Sequence, residues 1–168
     1  MSAQTNQPSM IAQTLYKARV NILEQLESQG YNCDDYKNFS IHDVHLMDIH
    51  SQSDMLLKTE QGKTVYVKFY SNKTLRPQQV NEMIEDLYHL DSILTVNDTL
   101  MIIIKDKPND TMTQLMNQLF AEESIYINIR NIQSVQFNIL KHNMVPKHII
   151  LSHEEDVEFK QNYNIMNN

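Results

Sequence analysis

Glycine is nearly absent from this chain: Gly30 and Gly62 are the only two in 168 residues. Phosphate loops of the P-loop and GxGxxG kinds need closely spaced glycines, so that the backbone can approach the ligand. Two isolated glycines argue against both loops and against the nucleotide-binding enzymes built on them. Cysteine is scarcer still, with Cys33 alone. A single thiol makes neither an internal disulfide nor a cysteine-based zinc site, and it fits a reducing compartment. Positive charge is in deficit, 14 basic residues against 21 acidic ones, for a net charge of −7. Free-standing nucleic-acid binders need a basic surface that releases counterions from phosphate. Any nucleic-acid contact here must be local or shared with a partner. No run of about 18 apolar residues occurs, so no membrane span is expected. The opening MSAQTNQPSMIAQ is polar and lacks the charged-then-apolar order of a signal peptide. These absences predict an intracellular, soluble protein without a cofactor.

What is present is a globular composition, 41% apolar and 21% charged. The length suits one domain, or one domain with a small appendage. A chain of this size buries about 70% of the surface its unfolded form exposes, so a real core can form. Residues 1–8 read as a disordered lead. From Ser9 a helix is expected, with Ile11, Leu15, Ala18, Ile22 and Leu26 in one apolar stripe and Gly30 ending it. Residues 31–53 look polar and irregular, with a short helical turn near 41–47. Strands are expected over 55–60 and 64–70, joined by a hairpin turn at Gln61-Gly62-Lys63. Pro77 opens a helix that carries Val80, Ile84 and Leu87. A buried-type strand over 100–106 follows, then a helix with Met112, Leu115, Met116 and Leu119. Two further strands are expected, over 125–130 and 134–140. The alternation predicts a mixed α/β sheet with helices packed on it. After Leu140 the pattern changes, so the chain divides into residues 1–140 and 141–168. Ser152 and Glu155 form a capping-box pattern, which predicts a helix over 153–162.

Candidate chemistry is sparse. In IHDVHLMDIH, His42, His45 and His50 lie among Asp43 and Asp48. Imidazoles and carboxylates can hold zinc, but no second ligand set stands elsewhere at a recognisable spacing. The stretch therefore reads as surface loop rather than metal site. Asp54 followed by Tyr66-Val67-Lys68 has the layout of a restriction-type nuclease, in which two carboxylates hold magnesium and a lysine helps activate water. Here Tyr66 stands in the second acidic position, which predicts a nuclease-like scaffold without cleavage chemistry. Cys33 has no partner histidine nearby in sequence, and no G-x-S-x-G elbow exists, so nucleophilic catalysis is unsupported. Lys105 and Lys107 precede the start of a helix, where free N–H groups favour anions. The plainer alternative is an ordinary strand–helix turn, with Asp106 and Asp110 offsetting the lysines.

The most specific stretch is HNMVPKHIILS, residues 142–152. His142, Val145, Pro146, Lys147, His148, Leu151 and Ser152 resemble the H-x-L-V-P-K-H-x-x-L-S segment of subunit 5 of eukaryotic-type RNA polymerases and of its archaeal counterpart. In that family the segment opens the C-terminal assembly domain, after an α/β jaw domain of restriction-endonuclease-like fold without catalysis. The resemblance implies a non-catalytic subunit of a multi-subunit DNA-directed RNA polymerase. Residues 1–140 would be the jaw, and residues 141–168 a shortened or incomplete α+β assembly domain. The implied partners are the largest subunit, the rest of the complex and, within it, downstream double-stranded DNA, with no membrane. His142, Val145, Pro146, Lys147, His148 and Leu151 would dock the chain. Lys105, Lys107, Asn109 and Thr111 would lie near DNA, although Asn109-Asp110-Thr111-Met112 departs from the Thr-Pro-Ser-Ala wording of the family. The implied location is the nucleus, or a viral factory or virion, since a divergent Asn-, Ile- and Lys-rich copy suits a large DNA virus. The physics of the stretch agrees with docking. Pro146 stiffens the connector, and Val145, Ile149, Ile150 and Leu151 are more apolar than a solvated linker, so a partner or the jaw should cover them. A DNA-processing enzyme of nuclease-like fold is the alternative, and a free-standing adaptor a third.

Overall fold

A computed structural model describes residues 10–70, 74–146, 151–163 and 165. Its chain divides into two units, one ending at Asn138 and the other beginning at Ile139. The leading residues 1–8, expected to be disordered, and Ser9, expected to begin the first helix, lie outside the described residues.

The first unit starts with helix α1, Met10–Glu27. Its buried face runs through Ala12, Leu15, Arg19, Ile22 and Leu26. Those residues recur every three or four positions, the spacing that puts side chains on one helical side. Ile11, expected in the stripe, is 62% exposed. The face is centred on Ala12, so its neighbour falls on the flank. Gly30 ends the turn at φ 89°, a conformation that costs a side-chain-bearing residue more than glycine. There Tyr31 donates its N–H to the Leu26 carbonyl at 3.1 Å.

The segment expected to be irregular is more ordered than its polarity implies. It holds two helices, α2 (Asp34–Lys37) and α3 (Ile41–Ile49). The Ser40 hydroxyl caps α3 by accepting from the Asp43 N–H, and the Asp43 carboxylate returns the bond to the Ser40 N–H. Tyr31 and Cys33 are buried beside this segment, because Tyr31 bridges to Thr59 and Asn32 donates to the Lys58 carbonyl at 2.9 Å. Cys33 is thus a core residue rather than part of a polar loop.

Strands β1 (Met55–Lys58) and β2 (Thr64–Tyr70) form the expected antiparallel hairpin, with Gly62 at φ 84° in its loop. Helix α4 (Pro77–Ile84) begins at the proline and continues as a π-helical turn, Glu85–Leu90. Strand β3 (Thr99–Ile104), helix α5 (Asp110–Glu123) and strand β4 (Tyr126–Asn131) follow. The sheet order is β1-β2-β3-β4, with β2, β3 and β4 parallel to one another.

Alternation along the strands makes two cores. Val65, Val67, Met101 and Ile103 join Leu15, Ala18 and Ile22 of α1 on one face. Leu100, Ile102, Ile104 and Ile127 join Val80 and Ile84 of α4 and Leu119 of α5 on the other. Central β3 is covered on both sides, which explains its unbroken apolar run, TLMIII.

The strand expected over 134–140 is not formed. Ile132–Val135 and Ile139–Lys141 are 3-10 turns instead. The Asn131 side chain accepts from the Gln133 N–H at 2.7 Å, and the Ser134 hydroxyl donates to the Asn131 carbonyl at 2.6 Å. Such local side-chain bonds offer the backbone a turn in place of a ladder. Ile132 and Val135 are buried within the α1-side core, and Asn21 donates to the Val135 carbonyl at 3.0 Å.

In the second unit, helix α6 spans His153–Asn162. Ser152 and Glu155 close the expected capping box. Three acids sit in its first turn and Lys160 in its last, the arrangement that complements the helix dipole.

Candidate functional site

Hairpin register brings the first candidate together. Met55 lies opposite Val67, so Asp54 arrives beside Lys68. One Asp54 carboxylate oxygen, Oδ2, accepts from the Tyr66 hydroxyl at 3.0 Å and from Lys68 Nζ at 2.9 Å. Its other oxygen, Oδ1, accepts from the Phe69 N–H at 3.2 Å. Burial, together with the charge and hydrogen bond of Asp54, pushes the Tyr66 phenol well above its ordinary range, so it stays a donor. The carboxylate is therefore engaged by three donors from β2.

A buried cation lies next to this cluster, and it carried no sequence signal. Arg19 is only 4% exposed. Its Nη1 donates to the Ser53 carbonyl at 3.1 Å, and its guanidinium carbon sits 5.3 Å from the Phe39 ring centre and 5.5 Å from that of Tyr36. Burial lowers its pKa from the ordinary value. Aromatic faces can hold a guanidinium in this way. The Tyr36 hydroxyl both donates to the Leu56 carbonyl (3.2 Å) and accepts from the Leu56 N–H (3.1 Å), which occupies the outer edge of β1.

The histidine-rich stretch is helix α3. Two bonds from Ser40, one from its hydroxyl and one from its backbone, hold the Asp43 carboxyl below the usual carboxylate range. Asp43 thus serves as a cap. Among the described residues no group of three or more His, Cys, Asp or Glu side chains converges as a metal-ligand set.

The strand–helix turn carries Lys105, Lys107, Asn109 and Thr111, all exposed. The Asn109 side-chain oxygen caps α5 by accepting from the Met112 N–H at 2.9 Å. The Lys105 carbonyl accepts from the Asn131 side chain at 2.6 Å, which ties the turn to the end of β4. Asp106 and Asp110 place two negative charges among the two lysines.

In the second unit, residues 139–145 form a tight turn. His142 donates its N–H to the Ile139 carbonyl (3.1 Å), and Val145 donates to the His142 carbonyl (2.9 Å). The His142 Nδ1 accepts from the Met144 N–H at 3.2 Å. Val145 is half-buried, whereas Pro146 and Leu151 are exposed. Lys147 and His148, with Ile149 and Ile150, lie outside the described residues. No described residue of this unit is fully buried, although Leu140, Met144, Val157, Phe159 and Tyr163 are large and apolar. Phe159 and Tyr163 pack against each other at a tilt, with ring centres 4.6 Å apart and planes inclined by 37°. Among the described residues no helix is long and apolar enough to cross a membrane.

Comparison with known proteins bears on both units. The family described as RNA polymerase Rpb5, C-terminal domain, matches residues 137–168. The DNA-directed RNA polymerase V subunit 5A of Arabidopsis thaliana is 23% identical over 157 residues, covering 89% of this chain and 67% of the relative. The family match falls on the HNMVPKHIILS segment and α6, and the relative extends the likeness through the sheet. The chain is thus Rpb5-like, similar to subunit 5 of DNA-directed RNA polymerases.

Proposed function

We propose that this chain is a non-catalytic structural subunit of a multi-subunit DNA-directed RNA polymerase. Residues 141–168 dock on the largest subunit as an assembly segment, and residues 1–140 form a jaw beside downstream DNA. One observation carries the reading. The segment that matches the Rpb5 C-terminal domain is also the part whose described apolar side chains have no core of their own. Surface of that kind is the mark of a protein–protein contact. Docking runs through His142, Val145, Pro146, Lys147, His148 and Leu151. DNA passes the turn of Lys105, Lys107, Asn109 and Thr111 and is held weakly, since that turn is close to electrically neutral. The jaw has the layout of a restriction-endonuclease scaffold in which Tyr66 takes the place of the second carboxylate. Its site of action is the nucleus, or a viral factory if a virus encodes the chain.

The test is affinity capture of the tagged full chain from the cells that express it. The native chain is expected to bring down the largest polymerase subunit together with template-directed RNA synthesis. Pro146→Ala combined with Lys147→Glu should lower that yield about tenfold, equivalent to about 1.4 kcal/mol of docking energy. Its melting temperature should be unchanged. Equal capture of native and variant chains would sink docking through this stretch. Cleavage of DNA in magnesium that disappears in Asp54→Ala would replace the scaffold reading with a nuclease.

A further inference from the structure

Four buried side-chain atoms among the described residues have no hydrogen-bond partner: Arg19 Nε, His45 Nδ1, Ser53 Oγ and the Tyr88 hydroxyl. Two of them, Arg19 Nε and Ser53 Oγ, belong to residues already joined by the bond from Arg19 Nη1 to the Ser53 carbonyl. Arg19 is 4% exposed and Ser53 7%. A buried arginine is ordinarily matched by a carboxylate, because a single neutral acceptor does not offset the loss of water around the charge. Arg19 has no such match. Every aspartate and glutamate of the chain lies among the described residues, and none forms an ion pair with it. Tyr36 and Phe39 lie on the guanidinium, but a ring face carries no net charge. Nη1 already donates to the Ser53 carbonyl, which leaves the Nε edge of the fork, where an anion sits side-on, without an acceptor. A water molecule there would satisfy Nε and Oγ and leave the charge uncompensated. A small anion does both.

We propose that Arg19 and Ser53 form a binding site for one small monovalent anion of chloride size. Arg19 donates its Nε–H to the ion, and Ser53 donates its hydroxyl. Burial sets the size limit. Nothing as large as a nucleic-acid phosphate reaches a side chain that is 4% exposed, so the site is separate from any DNA contact. The ion neutralises Arg19 and so steadies the two rings that lie on it. One of them, Tyr36, also closes the outer edge of β1 through the Leu56 N–H and carbonyl. Anion binding therefore fastens α2 to the sheet. With a net charge of −7 the chain as a whole repels anions, so a response to chloride comes from a local site. The inference stands apart from the polymerase reading, because it concerns the isolated chain.

The experiment is chlorine NMR and thermal melting of the purified full chain, with sodium chloride replacing sodium gluconate at constant ionic strength. The native chain is expected to broaden the chloride line in proportion to its concentration. Its melting temperature should rise by about 3–6 °C once chloride reaches roughly tenfold its dissociation constant, since an ion that binds only the folded form stabilises it. Exchange of the Leu56 amide, which donates to the Tyr36 hydroxyl, should slow over the same range. Arg19→Met keeps the length of the side chain and removes its charge, and it should abolish both the broadening and the melting shift. Ser53→Ala should weaken chloride binding about tenfold, as expected for one bond to a charged partner. If Arg19→Met does not fold, bromide-soaked crystals of the native chain decide instead. An anomalous peak within hydrogen-bond distance of Arg19 Nε supports the site, and its absence overturns it. The proposal is equally overturned if the native chain leaves the chloride line unchanged, or if folded Arg19→Met keeps the broadening in full.

Discussion

The two units of this chain are held together by different physics. The first has a four-stranded sheet with helices on both faces, and its central strand β3 is buried from Leu100 to Ile104. The second has a tight turn and one helix, and none of its described residues is fully buried. Helix α6 is sustained by local terms: a capping box, acids at its start, and a Lys160–Asp156 pair at 2.7 Å. Pairs and caps of this kind each contribute from a few tenths to about 1 kcal/mol. A buried Ile or Leu contributes roughly 1.5–3 kcal/mol by area alone. Yet the family match lies on the second unit. Sequence identity and self-sufficient folding are therefore separate properties here, and the recognisable part is the part whose described residues make no core.

Core truncation should separate the two units most sharply. Ile103 is fully buried in the sheet, so Ile103→Ala should cost the first unit roughly 2–5 kcal/mol in urea unfolding. Phe159→Ala removes more atoms from the second unit and should move the same transition by less than about 0.5 kcal/mol. Equal losses from the two changes would show that the second unit has a core after all.

A smaller effect is expected at Asp98, a buried carboxylate absent from every sequence motif. It accepts from the Thr64 N–H (2.6 Å), the Thr95 N–H (2.8 Å) and the Thr95 hydroxyl (2.8 Å), and so joins the starts of β2 and β3. Burial pushes its pKa up, but the bonds from Thr95 and Thr64 outweigh burial and hold it below the ordinary carboxylate value. A depressed pKa stabilises the fold above the unfolded value of about 3.9, and the contribution fades as pH falls through the folded value. Asp98→Ala should cost about 1–3 kcal/mol at neutral pH, because two backbone donors lose their acceptor. The gap between native and variant should narrow below about pH 4. A gap that stays constant to about pH 2 would remove Asp98 from the account.

The mildest change is Ser152→Ala, at the cap of α6. It should reduce helical chemical shifts over residues 153–162 and leave the urea midpoint of the first unit where it was. A shift in that midpoint would mean that the units are thermodynamically coupled.

The sequence showed most clearly the features with a local cause. Gly62 in the hairpin, Pro77 at the start of α4 and the Ser152–Glu155 box each act within a few residues, and each stands where expected. The Asp54–Tyr66–Lys68 meeting was also legible, because hairpin register follows from the turn. What escaped were features set across distance or by competition. The partner of Arg19 is a carbonyl 34 residues away, and Asp98 reaches Thr64 over the same separation. No spacing rule joins such pairs. SVQFNIL has strand-forming residues, but the Asn131 and Ser134 side chains bind the backbone just ahead of it, at Gln133 and Asn131, and turn the chain there. Cys33 is buried by the bridge from Tyr31 to Thr59, which its polar neighbours in sequence do not reveal.

The order of the sheet also assigns a schedule to folding. Closing the β1–β2 hairpin joins Lys58 to Thr64, close neighbours in the chain, so the loop entropy lost is small. The parallel pairing of β2 with β3 has to wait for the crossover through α4, and the Asp98–Thr64 clasp spans that whole detour. Non-local pairings of this kind slow folding. The clasp is thus a latch thrown late, after the hairpin that carries Asp54 and Tyr66 has already closed.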